Sequence, residues 1–157
     1  DKLCPQVAKP HKVDNVSPIA EVEGTPVQHA IIGTCTNGRI EDLEVAARIL
    51  DGKKIAHGMT LTISPASKAV YIEAIHRGYV ETFLRAGATI AIPGCSGCSG
   101  GAYVGIPADG EAVITTANRN FKGRLGNANS FLYLASPATV AASALTGCIE
   151  DSRNYVR

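Results

Sequence analysis

Short apolar runs, separated by polar and glycine-rich segments, predict several strands along the chain. Runs of this length and composition are typical of strands buried on both faces of a parallel sheet. They occupy residues 27–34, 59–63, 88–92, 111–116 and 131–135.

Between these runs, apolar residues recur at helical spacing. Residues 40–50 have acidic side chains near the start and Arg48 near the end, which suits the dipole of a helix. Further helices are predicted after Ser67 up to residue 77, at 79–85 and at 138–145, with Ser67 and Ser136 as N-terminal caps and glycines just beyond each end. Alternation of strands and helices predicts an α/β fold: a three-layer α/β/α sandwich with a mostly parallel sheet and helices on both faces.

Domain organisation follows from the change in pattern near residue 26. Residues 1–26 contain four prolines and little periodicity, so we expect an extended linker or arm. Residues 27–157 then form one α/β domain, which is long enough to bury a sizeable core.

Composition excludes some classes of function. The net charge of +1 gives no electrostatic case for nucleic acid or an anionic membrane, and no apolar run reaches the roughly 18 residues of a membrane span. Five cysteines, an odd number without a secretion signal, favour a reducing compartment over a disulfide framework. We therefore expect a cytoplasmic protein.

Three of the cysteines follow predicted strands. Cys35 comes after the first strand, and Cys95 and Cys98 come after the third. Because ligands of open α/β sheets bind at the carboxyl ends of strands, these thiols are candidate metal ligands at one edge. Cys4 and Cys148 are more simply small apolar side chains.

The three thiols leave more than one chemistry open. A structural zinc site uses four ligands, so a histidine would have to supply the fourth. An iron–sulfur cluster held by three thiols would leave one iron without a protein ligand, able to act as a Lewis acid. A thioredoxin-like redox pair is disfavoured, because the segment after Cys98 is rich in glycine and does not begin a helix.

A polar segment after the fourth strand adds a candidate anion site. It contains Asn118, Arg119 and Arg124, and arginine forks bind carboxylates bidentately. The alternative is an ordinary solvated surface. Asn37 and Arg39, beside Cys35, could also face the site, although Arg39 could instead pair with a nearby carboxylate.

These motifs together resemble the aconitase superfamily, in the branch that contains isopropylmalate dehydratases and homoaconitases. The resemblance runs from about residue 5 to residue 151. It rests on residues 33–42 (GTCTNGRIED), 93–98 (PGCSGC), 118–124 (NRNFKGR), 134–137 (LASP) and 141–144 (AASA).

The resemblance implies a function and assigns roles to residues. Cys35, Cys95 and Cys98 would hold a 4Fe–4S cluster with one iron free of protein ligands, and Asn118, Arg119 and Arg124 would bind substrate carboxylates. The fold would be that of the third α/β domain of the family. The reaction would be a dehydration and rehydration of a hydroxy di- or tricarboxylic acid, with 2-isopropylmalate to 3-isopropylmalate in leucine biosynthesis as the first expectation.

The resemblance also implies what this chain does not supply. Family large subunits carry further domains ahead of this one, and a small subunit or swivelling domain supplies the base, so no catalytic residue is assigned here. We expect a fragment or one piece of a larger enzyme, inactive alone. Gly97 and the segment 99–101 replace bulkier family residues, which implies a smaller cover over the cluster. The alternatives are a homoaconitase, aconitase or methylated-malate dehydratase piece, a non-catalytic zinc or redox module, and an RNA-binding domain.

Overall fold

The computed structural model describes residues 4–98 and 104–155, which form one mixed sheet and a layer of helices. The strands are β1 (Gln6–Ala8), β2 (Val16–Pro18), β3 (His29–Gly33), β4 (Thr60–Ser64), β5 (Thr89–Ile90), β6 (Ala112–Thr115) and β7 (Phe131–Leu134). The helices are α1 (Ile40–Leu50), α2 (Lys68–His76), α3 (Tyr79–Ala86) and α4 (Pro137–Thr146). Short 3₁₀ turns occur at Ile19–Glu21, Ser96–Cys98 and Ser152–Asn154.

The sheet has the strand order β2-β1-β7-β6-β3-β4-β5. The strands from β7 to β5 run parallel, and β1 pairs antiparallel with both β2 and β7. The predicted α/β class with a mostly parallel sheet is therefore confirmed. Strand β5 is shorter than the run that predicted it.

Local sequence explains where the helices begin and end. The hydroxyl of Ser67 accepts a hydrogen bond from the backbone N–H of Val70, and that of Ser136 accepts one from Thr139. Gly87 and Gly147 end α3 and α4 in the left-handed conformation that glycine adopts without strain.

The main core lies between the helices and one face of the sheet. Ala30 and Ile32 of β3 alternate with Ile31, so only the first two point to this side. They pack with buried residues of the helices, among them Leu43 of α1 and Val140 of α4.

The opposite face of the sheet is covered by loops. Ile31, Val113 and Leu132 form a smaller cluster there with Leu125, and Val104 packs against it. The expectation of helices on both faces therefore differs from the structure of the described residues. Right-handed crossovers place the connection from β6 to β7 on this face, and that connection is too rich in glycine and asparagine to form a helix.

The N-terminal segment forms part of the sheet. Strands β1 and β2 make a hairpin at its edge, and Val7 and Ile19 are fully buried in the main core. The description of residues 1–26 as an extended arm therefore omits two strands. Three-residue strands bounded by prolines carry too little alternation to be recognised in sequence.

Within the described residues, no helix is long and apolar enough to cross a membrane.

Candidate metal centre

Parallel strands bring the predicted cysteines to one edge of the sheet. Cys35 follows β3, while Cys95 and Cys98 follow β5, and β4 lies between these strands. Cys35 and Cys95 are exposed, and Cys98 is half-buried. Segments that are distant in the sequence thus meet at the carboxyl ends of parallel strands, where α/β folds place ligands.

The thiols share one electrostatic environment. A hydrogen bond with the thiol of Cys35 and the charge of that thiol raise the pKa of Cys95 above its usual value. The charge of Cys98 also raises the pKa of Cys95, whereas the charge of Arg124 lowers it. The three sulfur-bearing residues and one guanidinium are therefore near neighbours, and no disulfide joins them.

The thiols of Cys35, Cys95 and Cys98 limit the kind of metal group that this edge could hold. Within residues 4–98 and 104–155, no three His, Cys, Asp or Glu side chains are grouped closely enough to hold a single metal ion. Soft thiolates are the ligands that a 4Fe–4S cluster uses, and the chemistry of the three thiols fits that group.

The turn that carries Cys35 is packed against β4. A Cβ atom at Gly33 or at Gly38 would overlap with the backbone carbonyl oxygen of Ser64. Gly33 also has a φ of 106°, which glycine adopts readily. The carbonyl oxygen of Gly38 accepts a hydrogen bond from the N–H of Ala66 at 2.8 Å. Glycine is therefore required on both sides of Cys35.

The same turn is tied to the end of β6 by Thr116. The hydroxyl of Thr116 accepts a hydrogen bond from the N–H of Gly33 at 2.8 Å and donates one to the carbonyl of Asn37 at 3.3 Å. The side-chain amide of Asn37 donates in return to the carbonyl of Thr116. Asn37, a candidate from the sequence, thus holds the turn in place.

The segment that carries Cys95 and Cys98 is fastened to the end of β4. The N–H of Gly94 donates to the carbonyl of Pro65 at 2.8 Å, and the hydroxyls of Ser64 and Ser96 lie 2.5 Å apart. A 3₁₀ turn follows, in which the N–H of Cys98 donates to the carbonyl of Cys95 at 2.9 Å. The expected departure at 99–101 lies outside the described residues.

The polar segment contributes one arginine to this cluster. The Nη1 atom of Arg124 donates to the carbonyl oxygen of Cys98 at 2.7 Å, and its guanidinium lies 5.6 Å from the centre of the Phe121 ring. Its Nε atom is buried, with no hydrogen-bond partner among the described residues.

The other two predicted members of the anion site are placed differently. Asn118 and Arg119 are exposed on the loop that leaves β6. Arg119 lines a groove with His11 and Lys12, from the turn between β1 and β2. Among the described residues, Arg124 contacts the cysteine segment, whereas Arg119 lies in this groove.

Asn120 was not singled out in the sequence, although it is fully buried within the polar segment. Its side-chain amide donates to the carbonyl oxygens of Lys9 at 2.7 Å, and of Lys12 and Leu132 at 3.3 Å. The segment is therefore anchored to the N-terminal hairpin and to β7.

The remaining candidates, Arg39, Cys4 and Cys148, have contacts that are explained by the fold alone. The backbone N–H of Arg39 donates to the carboxylate of Asp42 at 3.0 Å, and the Arg39 side chain is exposed. Cys4 is half-buried and packs against the main core, while Cys148 is half-buried beside Thr146. Ser64, Ser96 and Thr116 were missed, because short polar residues at strand ends look like ordinary loop residues in sequence.

The fold and the site together define an α/β domain with thiols at one sheet edge, a description that fits many proteins. Comparison with known proteins is more specific: the model of the aconitase family (aconitate hydratase) matches residues 4–147. This chain belongs to the aconitase family.

Individual relatives are similar over nearly the whole chain. The 3-isopropylmalate dehydratase large subunit 2 of Archaeoglobus fulgidus is 55% identical over 154 residues, which are 98% of this chain and 37% of that protein. A probable methanogen homoaconitase large subunit of Methanosarcina mazei is 58% identical over 149 residues, or 95% of this chain and 37% of that protein. The chain thus spans little more than a third of the length of these relatives.

Proposed function

We propose that this chain is the cluster-binding domain of a hydro-lyase that isomerises a hydroxy carboxylic acid by dehydration and rehydration. The observation that carries the proposal is the meeting of Cys35, Cys95, Cys98 and Arg124 at one sheet edge, in a chain of the aconitase family. The first candidate reaction is 2-isopropylmalate to 3-isopropylmalate, in leucine biosynthesis, because the Archaeoglobus fulgidus relative is named a 3-isopropylmalate dehydratase.

The proposed roles follow from residue chemistry. Cys35, Cys95 and Cys98 would hold a 4Fe–4S cluster, whose iron without a protein ligand supplies Lewis acidity towards a hydroxyl or carboxylate when the cluster is bound. Arg124 is the best placed residue for a substrate carboxylate, because it contacts the cysteine segment through Nη1 and its Nε has no hydrogen-bond partner among the described residues. Asn118 and Arg119, exposed on the loop that leaves β6, would contact a second carboxylate.

The proposal includes partners and a location. The relatives are named large subunits, so we propose that the active enzyme needs the rest of a large subunit and a small subunit. A base from those parts would take the proton from carbon, and this chain alone would be inactive. Cysteines without a disulfide are typical of a reducing compartment, so we propose a cytoplasmic location.

A second candidate substrate has its own support. The Methanosarcina mazei relative, at 58% identity, is named a probable homoaconitase large subunit. The choice between the two substrates depends on the side chain that the completed site accepts.

Anaerobic reconstitution of the chain with iron and sulfide tests the proposal. We expect a broad visible absorbance and about four irons per chain. Cys35→Ser lowers iron uptake, whereas Cys148→Ser, the matched control, leaves it unchanged. Equal uptake by both variants, or one tightly bound zinc in place of iron, contradicts the proposal. After addition of the partner domains, turnover of isopropylmalate against homocitrate decides between the two substrates.

A further inference from the structure

Ser64 occupies a position that neither the motifs nor the proposed roles explain. It is the last residue of β4, the strand between the two that carry the cysteines, and it is fully buried. Its strand brings no thiol to the site. Its backbone and its side chain contact different cysteine segments.

The backbone of Ser64 faces the turn of Cys35. Ser64 is the register partner of Gly33 in the parallel pair of β3 and β4. Its carbonyl oxygen occupies the space that a Cβ atom would need at Gly33 or Gly38, so both glycines pack directly on it. The height of the Cys35 turn above the sheet is therefore set by this carbonyl.

The side chain of Ser64 faces the segment of Cys95 and Cys98. Its Oγ lies 2.5 Å from the Oγ of Ser96, which stands between the two cysteines and is also buried. Two hydroxyls shielded from water make a bond that is costly to leave unmade. The cysteine segment is thus held to the end of β4 at this point.

We propose that Ser64 is a positioning residue that sets the separation between Cys35 and the Cys95–Cys98 pair. The inference deepens the proposed function, because the separation of the thiols governs whether one cluster can be held by all of them. If Ser64 only filled space, its hydroxyl could be removed without moving the cysteines. If Ser64 positions them, loss of the hydroxyl should release the segment of Cys95 and Cys98.

The first test measures thiol separation without any cluster. In a Cys98→Ser background, phenylarsine oxide bridges Cys35 and Cys95, and mass spectrometry counts the bridged chains. We expect Ser64→Ala to slow bridging about fivefold, the factor that corresponds to one lost buried hydrogen bond. Ser96→Ala should have the same effect, and the double variant should be no worse than either single one.

The matched control is Ser143→Ala. Ser143 is a fully buried serine of α4 whose hydroxyl donates to the carbonyl of Thr139 at 2.7 Å, on the helical side of the sheet. The Ser143→Ala variant should lower the stability of the fold and leave the rate of bridging unchanged. Ser64→Thr, which keeps the hydroxyl, should restore part of the bridging rate.

The second test uses the reconstituted chain. We expect Ser64→Ala to release iron to a chelator about fivefold faster than the unaltered chain, with Ser143→Ala as control. Bridging and iron release equal to those of Ser143→Ala would overturn the inference. If the unaltered chain takes up no iron but bridging still depends on Ser64, the inference on thiol spacing holds and the proposed function fails.

Discussion

Arg124 donates a hydrogen bond from Nη1 to the carbonyl oxygen of Cys98 at 2.7 Å. The polar segment after β6 is therefore tied directly to the cysteine segment after β5. A charged donor on a backbone carbonyl makes a stronger bond than a neutral one. The residue expected to bind substrate is thus also part of the support of a candidate metal ligand.

Arg124→Lys should lower the free energy of unfolding by about 1 kcal/mol, because lysine loses both the fork and the stacking on Phe121. In the completed enzyme it should also raise the KM for the hydroxy acid. Urea unfolding and steady-state kinetics measure the two effects. Arg119→Lys, at an exposed position, is the control for stability. Indistinguishable unfolding curves for both variants would contradict the structural role of Arg124.

Gly38→Ala should destabilise the fold by about 2 kcal/mol, the cost typical of an added group in a packed site. The new Cβ would overlap with the carbonyl oxygen of Ser64 and crowd that of Thr34. Gly52→Ala is the control: nothing lies within 4 Å of its Cβ, and only its φ of +67° carries a cost, about 1 kcal/mol. Chemical denaturation measures the difference, and a smaller loss for Gly38→Ala than for Gly52→Ala would refute the packing argument.

Asn120→Asp should destabilise the fold at pH 7 by about 3 kcal/mol, because a buried carboxylate would face carbonyl oxygens that now receive hydrogen bonds. The loss should shrink as the pH falls, since a protonated carboxyl can donate to one of them. Unfolding at pH 7 and pH 5 measures the change. Asn118→Asp, at the exposed neighbour, should show little loss at either pH.

The pair of His29 and Glu111 should make the free energy of unfolding depend on pH in the acidic range. Nε2 of His29 donates to the Glu111 carboxylate at 2.8 Å; this bond, and then the N–H of Ala108, hold the pKa of Glu111 below its usual value. A lowered pKa stabilises the folded state above the ordinary carboxyl value of 4.5, and this advantage is lost as the pH falls below it.

Glu111→Gln should therefore lower the free energy of unfolding at pH 7 by less than about 1 kcal/mol, the range for a partly exposed pair. It should also flatten the decline of stability between neutral and acidic pH. Urea titrations across that range measure both. Glu81→Gln, which removes an exposed partner of Arg85, serves as control. An unchanged acid decline in Glu111→Gln would exclude a contribution from this pair.

Local signals in the sequence predicted the helical side of the fold. The spacing of apolar residues gave α1 its observed bounds, Ile40–Leu50, because one face of that helix is buried along its whole length. The serine caps and the glycines at the ends of α3 and α4 act within a few residues, so they are visible in the chain itself.

The features that the sequence did not predict depend on contacts with residues that are distant in the chain. Asn120 reads as one more polar loop residue, and its role appears only when the carbonyls of Lys9 and Lys12 stand beside it. The β1–β2 hairpin likewise depends on its pairing with β7. The convergence of Cys35 with Cys95 could be predicted, because parallel strands place their carboxyl ends together, whereas the bond between Ser64 and Ser96 could not.

The loop-covered face has a consequence for how such a domain changes over time. Its cluster of Ile31, Val113, Leu125 and Leu132 is separate from the core between the sheet and the helices. Substitutions at exposed positions of the connections that cross this face, unlike those at buried Asn120, therefore leave the main core largely undisturbed. The sequence of these connections can therefore diverge among descendants of one ancestor, while the helical half keeps each variant folded.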